Sequence, residues 1–188
     1  MGERYKRRSR QCDGWFIAWE NAYFRTESLF LMNAETIRIS KQIKAMQLGP
    51  AWHGPALEEV LEGITAVQAH QHPIAGAHSM WELVLHIISW RKYAYHRVLG
   101  DQSHMIDIDH PDNWPAQPDQ PNEQVWAATQ AELKEISASL RQILRDVSDD
   151  KLTEQTEGRN YDLYVLLHGT VQHDAYHAGQ IALLRKLV

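Results

Sequence analysis

Two histidines four residues apart, His173 and His177 in His173-Asp174-Ala175-Tyr176-His177-Ala178-Gly179-Gln180, are the pair in this chain best placed to do chemistry. On a helix, positions four apart point within about 40° of each other and lie about 6 Å apart along the axis, so two imidazoles can converge on one ion. Leu166, Gln180 and Leu184 fall on the same arc. The pair therefore interrupts an apolar stripe, and ring nitrogens buried there need partners. His86, within Ser79-Met80-Trp81-Glu82-Leu83-Val84-Leu85-His86-Ile87-Ile88-Ser89-Trp90, is the best source of a third ligand, a polar ring in the middle of a helix that is apolar over most of its circumference. Three histidines from two helices leave an open coordination position, as in catalytic zinc sites; structural zinc sites are closed. The plainer alternative is that all three are core or surface histidines with ordinary hydrogen bonds.

The elements that must position these residues are read from the rest of the chain. Its 188 residues suit one domain with a sizeable core, and a net charge of -5 argues against a nucleic-acid binder with a basic surface. The single cysteine, Cys12, excludes an internal disulfide, Cys-rich zinc modules and Cys-x-x-Cys redox chemistry, so a reducing cytoplasm is the expected location and nitrogen the expected metal donor. Arg4, Lys6, Arg7, Arg8 and Arg10 give the first residues a basic character. Residues 15–31 are broken by Glu20, Arg25 and Glu27, which rules out a signal peptide or a membrane span there. Residues 1–32 are expected to form a helical or disordered leader, with Trp15, Trp19 and Tyr23 at helical spacing; Met32 leaves room for a misplaced start.

From residue 33 the pattern is helical. Residues 33–48 read as a short helix ended by Gly49-Pro50, and residues 55–70 as the first long bundle helix, with Leu57, Val60, Leu61, Ile64 and Val67 on one face. Ser79 followed by Glu82 is a capping box that opens a helix running to Leu99. Residues 101–121 hold four prolines and form a long crossover loop. Asn122 caps a third long helix carrying Val125, Thr129, Leu133, Ile136, Leu140, Ile143 and Val147 inward, and residues 161–187 form the last. No segment alternates like a strand. The sum is an all-α four-helix bundle with its long crossover between helices 2 and 3, a scaffold that builds metal sites from facing helices. The Glu-x-x-His pairs of di-iron bundles are absent, which favours a mononuclear site.

The chain also resembles the DinB/YfiT-like superfamily of metal-binding four-helix bundles. The resemblance is carried by Ala51-Trp52-His53-Gly54-Pro55, by His78-Ser79-Met80-Trp81-Glu82-Leu83-Val84-Leu85-His86, and by Leu167-His168-Gly169 through His173-Asp174-Ala175-Tyr176-His177-Ala178-Gly179-Gln180-Ile181. It covers residues 33–188 and leaves out the leader. It implies that His86, His173 and His177 bind one divalent ion, zinc or nickel first, with iron, manganese and copper also compatible. It further implies a metal-dependent enzyme that activates a low-molecular-weight thiol and transfers it to a small-molecule electrophile, with no membrane or nucleic-acid partner and with a homodimer as one arrangement. Ion-stabilised thiolate would supply a nucleophile at neutral pH without a protein cysteine. Two other readings stand beside it: metal-assisted hydrolysis, with Asp174 or Glu82 as the conceivable base, and a non-catalytic metal-binding stress-response protein.

Four further residues are weighed for supporting roles. Gln180 shares the ligand arc and could orient His177 or touch substrate. His168 lies about 140° around the helix from His173, so it and His53 rank as hydrogen-bonding neighbours or surface residues. Trp114 marks the proline-rich loop beside which an electrophile would enter. Tyr176 and Trp90 read as core, and His70, His72, His104 and His110 as solvated loop histidines.

Overall fold

The computed structural model describes residues 33–188, so the expectations for the leader, including the roles of Trp15, Trp19 and Tyr23, lie outside the described residues. Within them the elements are α1 (Ala34–Leu48), α2 (Leu57–Leu61), α3 (Ala66–His70), α4 (Met80–Leu99), α5 (Glu123–Asp146) and α6 (Leu163–Leu184), with short 3-10 turns at Pro111–Asn113 and Asp149–Thr153. The described residues contain no strand, and the architecture is the expected all-α bundle. No helix among them is long and apolar enough to cross a membrane.

The bundle consists of α1, α4, α5 and α6, and its main contacts pair α1 with α5 and α6, and α4 with the same two. The helices therefore follow the order α1, α5, α4, α6 around the axis. Apolar residues divide into two clusters along that axis. One joins the start of α4 (Met80, Trp81, Val84) to the start of α5 (Trp126, Leu133) and the end of α6 (Ile181, Leu184). The other joins the end of α4 (Tyr93, Val98) to the end of α5 (Leu140, Leu144) and the start of α6 (Leu163, Leu167). So α4 runs parallel to α5 and antiparallel to α6.

A parallel α4–α5 pair requires the chain to return the full length of α4 before α5 begins, and the long loop does this. Four contacts stitch it along α4 in reverse order: Arg97 Nη2 donates to the His104 carbonyl at 2.9 Å, Trp90 Nε1 to Asn113 Oδ1 at 3.0 Å, the His86 ring to the Asn113 carbonyl, and Ser79 Oγ to Gln117 Oε1 at 2.6 Å. His70, the last residue of α3, donates to the Pro118 carbonyl at 2.9 Å, and His104 in the loop is half-buried against His96, so both are engaged, not solvated.

Residues 55–70 are not one long helix. Gly63, at φ +73°, breaks the segment after α2, and Thr65 restarts it: its hydroxyl accepts from Gln68 N at 3.2 Å while Gln68 Oε1 accepts from Thr65 N at 3.1 Å. Val67 consequently points outward, 54% exposed, and α1 is the first bundle helix. On α5 the inward position belongs to Trp126, whose Nε1 donates to the Ile64 carbonyl at 2.8 Å, while Val125 is exposed. The capping box at the start of α4 forms as expected, with Glu82 N donating to Ser79 Oγ at 3.0 Å and Ser79 N to Glu82 Oε2 at 2.8 Å. The last helix is shorter at both ends than residues 161–187.

Candidate metal centre

The bundle interior holds a buried polar network and, beside it, the three histidines. Arg91 on α4 is fully buried and reaches all the other bundle helices: Nε and Nη2 donate to Asp174 Oδ2 on α6 at 3.0 and 2.8 Å, and Nη1 donates to Gln47 Oε1 on α1 at 2.6 Å and to the Leu133 carbonyl on α5 at 3.4 Å. This network sets α4 and α6 in register. One turn back along α4, His86 meets His173 and His177.

The three rings turn their Nε2 atoms toward one another. His173 Nε2 stands 2.9 Å from His86 Nε2 and 3.1 Å from His177 Nε2, and the ligand atoms of all three residues lie within 4.8 Å of one another. His86 donates through Nδ1 to the Asn113 carbonyl, and His177 through Nδ1 to Gln180 Oε1 at 2.6 Å. With their protons on Nδ1, both rings present bare Nε2 lone pairs to His173. A proton on His173 Nε2 could serve one of these contacts well; a cation would serve all three nitrogens. Imidazole nitrogens about 2.0–2.1 Å from a tetrahedral zinc ion stand roughly 3.3 Å apart, a few tenths of an ångström more than the two separations from His173, while the third pair lies within 4.8 Å. The donor set could therefore hold a divalent ion.

Electrostatics favour the same state. Burial, reinforced by His173 and His177 and opposed by the Asn113 carbonyl, pushes His86 down to about 4. Burial likewise takes His177 down to about 4, with Gln180 opposing and His173 reinforcing. Both rings are neutral at pH 7, as metal ligation requires.

Trp114 is sandwiched between His86 and His78, with ring centroids 3.8 and 3.5 Å away and planes within 6° and 5°. It fixes the plane of the His86 ring and divides the surrounding space. On one side a cavity of about 640 Å³ is lined by all three histidines, Trp90, Trp114 and Arg159 among others; on the other, a largely apolar cavity of about 410 Å³ touches His177, His78 and Gln180. Trp114, Tyr176 and His177 line both. Tyr176 is 66% exposed and forms cavity wall, not core. Trp90 is half-buried and lines the larger cavity.

The remaining sequence candidates separate. Gln180 touches His177 directly. His168 lies 3.4 Å from Glu35 Oε1, and His53 contacts Met46 Sδ at 3.1 Å; neither joins the triad. Neither carboxylate considered as a general base is well placed: Asp174 is fully buried with one oxygen on Arg91, and Glu82 is tied to the α4 cap and to His72 at 3.0 Å. Nothing in the sequence singles out Asn113, Arg91 or Arg159. His78 alone had a signal, standing eight residues before His86 in a segment already singled out.

No curated protein and no solved structure matches this chain. The family model described as the DinB superfamily matches residues 51–181, a span that carries α4, α5, all but the last three residues of α6, and all three histidines. On that match, joined to the helical bundle, the chain belongs to the DinB superfamily.

Proposed function

We propose that His86, His173 and His177 bind one divalent ion, zinc or nickel first, and that the protein transfers a low-molecular-weight thiol to a small electrophile. The observation that carries the metal reading is the convergence of three Nε2 atoms, two of them committed as lone pairs by Nδ1 bonds to Asn113 and Gln180. An ion held by three neutral imidazoles with an open position stabilises a thiol in its charged form and so supplies a nucleophile at neutral pH.

The chain's own residues have positioning work in this scheme. Asn113 and Trp114 hold the His86 ring, Gln180 holds His177, and the apolar walls at Trp90, Trp114 and Leu166 limit water around the reacting atoms. Two cavities sharing His177 suit a reaction of two substrates. Neither lining contains a cysteine, serine, lysine, aspartate or glutamate, and the Thr170 hydroxyl donates to the Leu166 carbonyl at 2.9 Å, which favours a nucleophile brought by a co-substrate over one supplied by a side chain. Hydrolysis is less well supported, because neither Asp174, fully buried and paired with Arg91, nor Glu82, held in the α4 cap, lines either cavity.

Elemental analysis of protein purified without a nickel column tests the first step; a full equivalent of one metal, lost in the His177→Ala variant, is expected. Retention of that equivalent when all three histidines are alanine would overturn the ligand assignment. Cobalt-substituted protein tests the second, since thiolate ligation adds a charge-transfer absorption. A spectrum unmoved by several small thiols, with transfer rates independent of metal, would remove the thiol reading and leave a metal-binding protein.

A further inference from the structure

We propose that Arg159 is the anion-binding residue of the larger cavity, so that the molecule seated there is elongated, apolar along its body and carries a carboxylate at the end away from the histidines. The proposal rests on the reading of the histidines as the reacting centre.

The cavity is within the size range of small-molecule sites, and its lining mixes apolar walls with one fixed charge. Trp90, Ile108, Trp114, Val165 and Leu166 form the walls; Arg159 is the single arginine, and no lysine, aspartate or glutamate accompanies it. Its guanidinium has five N–H donors, of which Nη2 donates to the Ile106 carbonyl. Nε is buried without a partner, and Nη1 bonds to no described residue. Among the described residues no carboxylate forms an ion pair with it. Its Cζ lies 5.9 Å from the centre of the Tyr93 ring, and the Tyr93 hydroxyl beside it, helped by Tyr161 and Asp107, favours the charged guanidinium; with one N–H on Ile106 and one toward Tyr93, donors remain for a ligand. A half-buried cation with spare donors beside an apolar cavity gains most from an anion that can take two of them at once.

The position is built, not incidental. Arg159 sits in a tight turn closed by Arg159 N donating to the Thr156 carbonyl and Thr156 N donating to the Tyr161 carbonyl, both at 3.0 Å. Gly158, at φ +71°, supplies the left-handed residue that the turn needs, immediately before the arginine. The turn leads into the start of α6, whereas the histidines lie farther along that helix: Val165 and His173 are about 12 Å apart at 1.5 Å per residue. Between them Gly169 lines the cavity, and a Cβ added there would meet nothing within 4 Å. The missing side chain leaves open space on the stretch of cavity wall between the arginine turn and the triad.

The test compares a matched probe pair, 1-naphthaleneacetate and the uncharged 1-naphthaleneacetamide, by calorimetric titration of the metal-loaded and metal-free protein. The unsubstituted protein should prefer the anion by about tenfold or more in both states, the value of one charge-assisted hydrogen bond. Arg159→Gln should abolish that preference by weakening the anion far more than the amide, and Arg159→Lys should retain part of it. A merely structural arginine would lower both affinities together. Equal affinity for the two probes in the unsubstituted protein, or an undiminished preference in Arg159→Gln, overturns the proposal. A preference that needs the metal but not Arg159 overturns it too and leaves the metal reading intact; a protein that binds no metal yet shows the Arg159-dependent preference keeps the anion site and loses the reading of the histidines.

Discussion

His173 Nδ1 and Asp174 Oδ1 lie 3.9 Å apart, both buried and neither hydrogen-bonded to any described residue. Arg91 occupies only the other oxygen of Asp174. A small turn of the imidazole would bring Nδ1–H onto Oδ1, giving His173 the same kind of acceptor that Asn113 gives His86 and Gln180 gives His177. Ligating histidines ordinarily have such a partner on the second nitrogen. Asp174→Asn, which keeps the shape and an acceptor for Arg91, is therefore expected to weaken metal binding by roughly tenfold or more in competition with a chelator. Asp174→Ala should also destabilise the fold by about 3–5 kcal/mol, because Arg91 is left charged and unpaired. Unchanged metal affinity in a folded Asp174→Asn protein would mean that Asp174 serves Arg91 alone.

The pH dependence of the metal-free protein follows from His86 and His177. Both are held at about 4 when folded, against an ordinary value of 6.5. Between those values the unfolded chain binds more protons than the folded one, so stability falls as pH drops from about 6.5 toward 4 and is insensitive to these rings above. Each ring contributes up to ~3 kcal/mol across that window. Denaturant midpoints measured from pH 7.5 to 4 should show the decline, and His177→Ala should flatten part of it. A midpoint that stays level to pH 4 in the unsubstituted protein would contradict the burial of these rings.

How far the sequence disclosed the site depends on how local each signal is. The four-residue spacing of His173 and His177 and the setting of His86 among Leu85, Ile87 and Ile88 are properties of single helices, and the structure brings those three rings together. The Asn113 carbonyl that holds His86 has no sequence signature, since any residue carries one; it reaches the ring only because the crossover loop runs back along α4. Arg91 was hidden differently. Its partners Gln47, Leu133 and Asp174 come from three other helices, and nothing in their spacing announces that they meet. The break inside residues 55–70 was legible in Gly63 and in Thr65-Ala66-Val67-Gln68, a stop followed by a capping box, but the apolar spacing runs on through Ile64 and Val67 and masks it.

Trp114 should matter to the metal before it matters to any substrate. Its indole is stacked on His86 and backed by His78, so Trp114→Ala removes one face of the ligand's support and merges the two cavities. Metal affinity measured by chelator competition should fall by about tenfold, the usual scale for loss of a group that orients a ligand. Trp114→Phe, which can still stack, should recover most of it. Full affinity in Trp114→Ala would make the indole a cavity wall only.

Gly169 separates stability from function along α6. In mid-helix a glycine costs about 1 kcal/mol relative to alanine, and the added Cβ meets no atom within 4 Å, so Gly169→Ala should stabilise the protein by roughly 0.5–1 kcal/mol. For a domain of this size that is a rise in Tm of a few degrees, about 2–4 °C per kcal/mol. Gly169→Leu adds bulk to the same open space and should fold equally well while excluding 1-naphthaleneacetate from the cavity. Metal content should be unchanged in both variants, because a Cβ at residue 169 meets no atom of the three rings or of their partners Asn113, Gln180 and Asp174 within 4 Å. Undiminished probe binding in Gly169→Leu would show that the occupied space lies on the other side of Trp114, in the smaller cavity against His78 and Gln180.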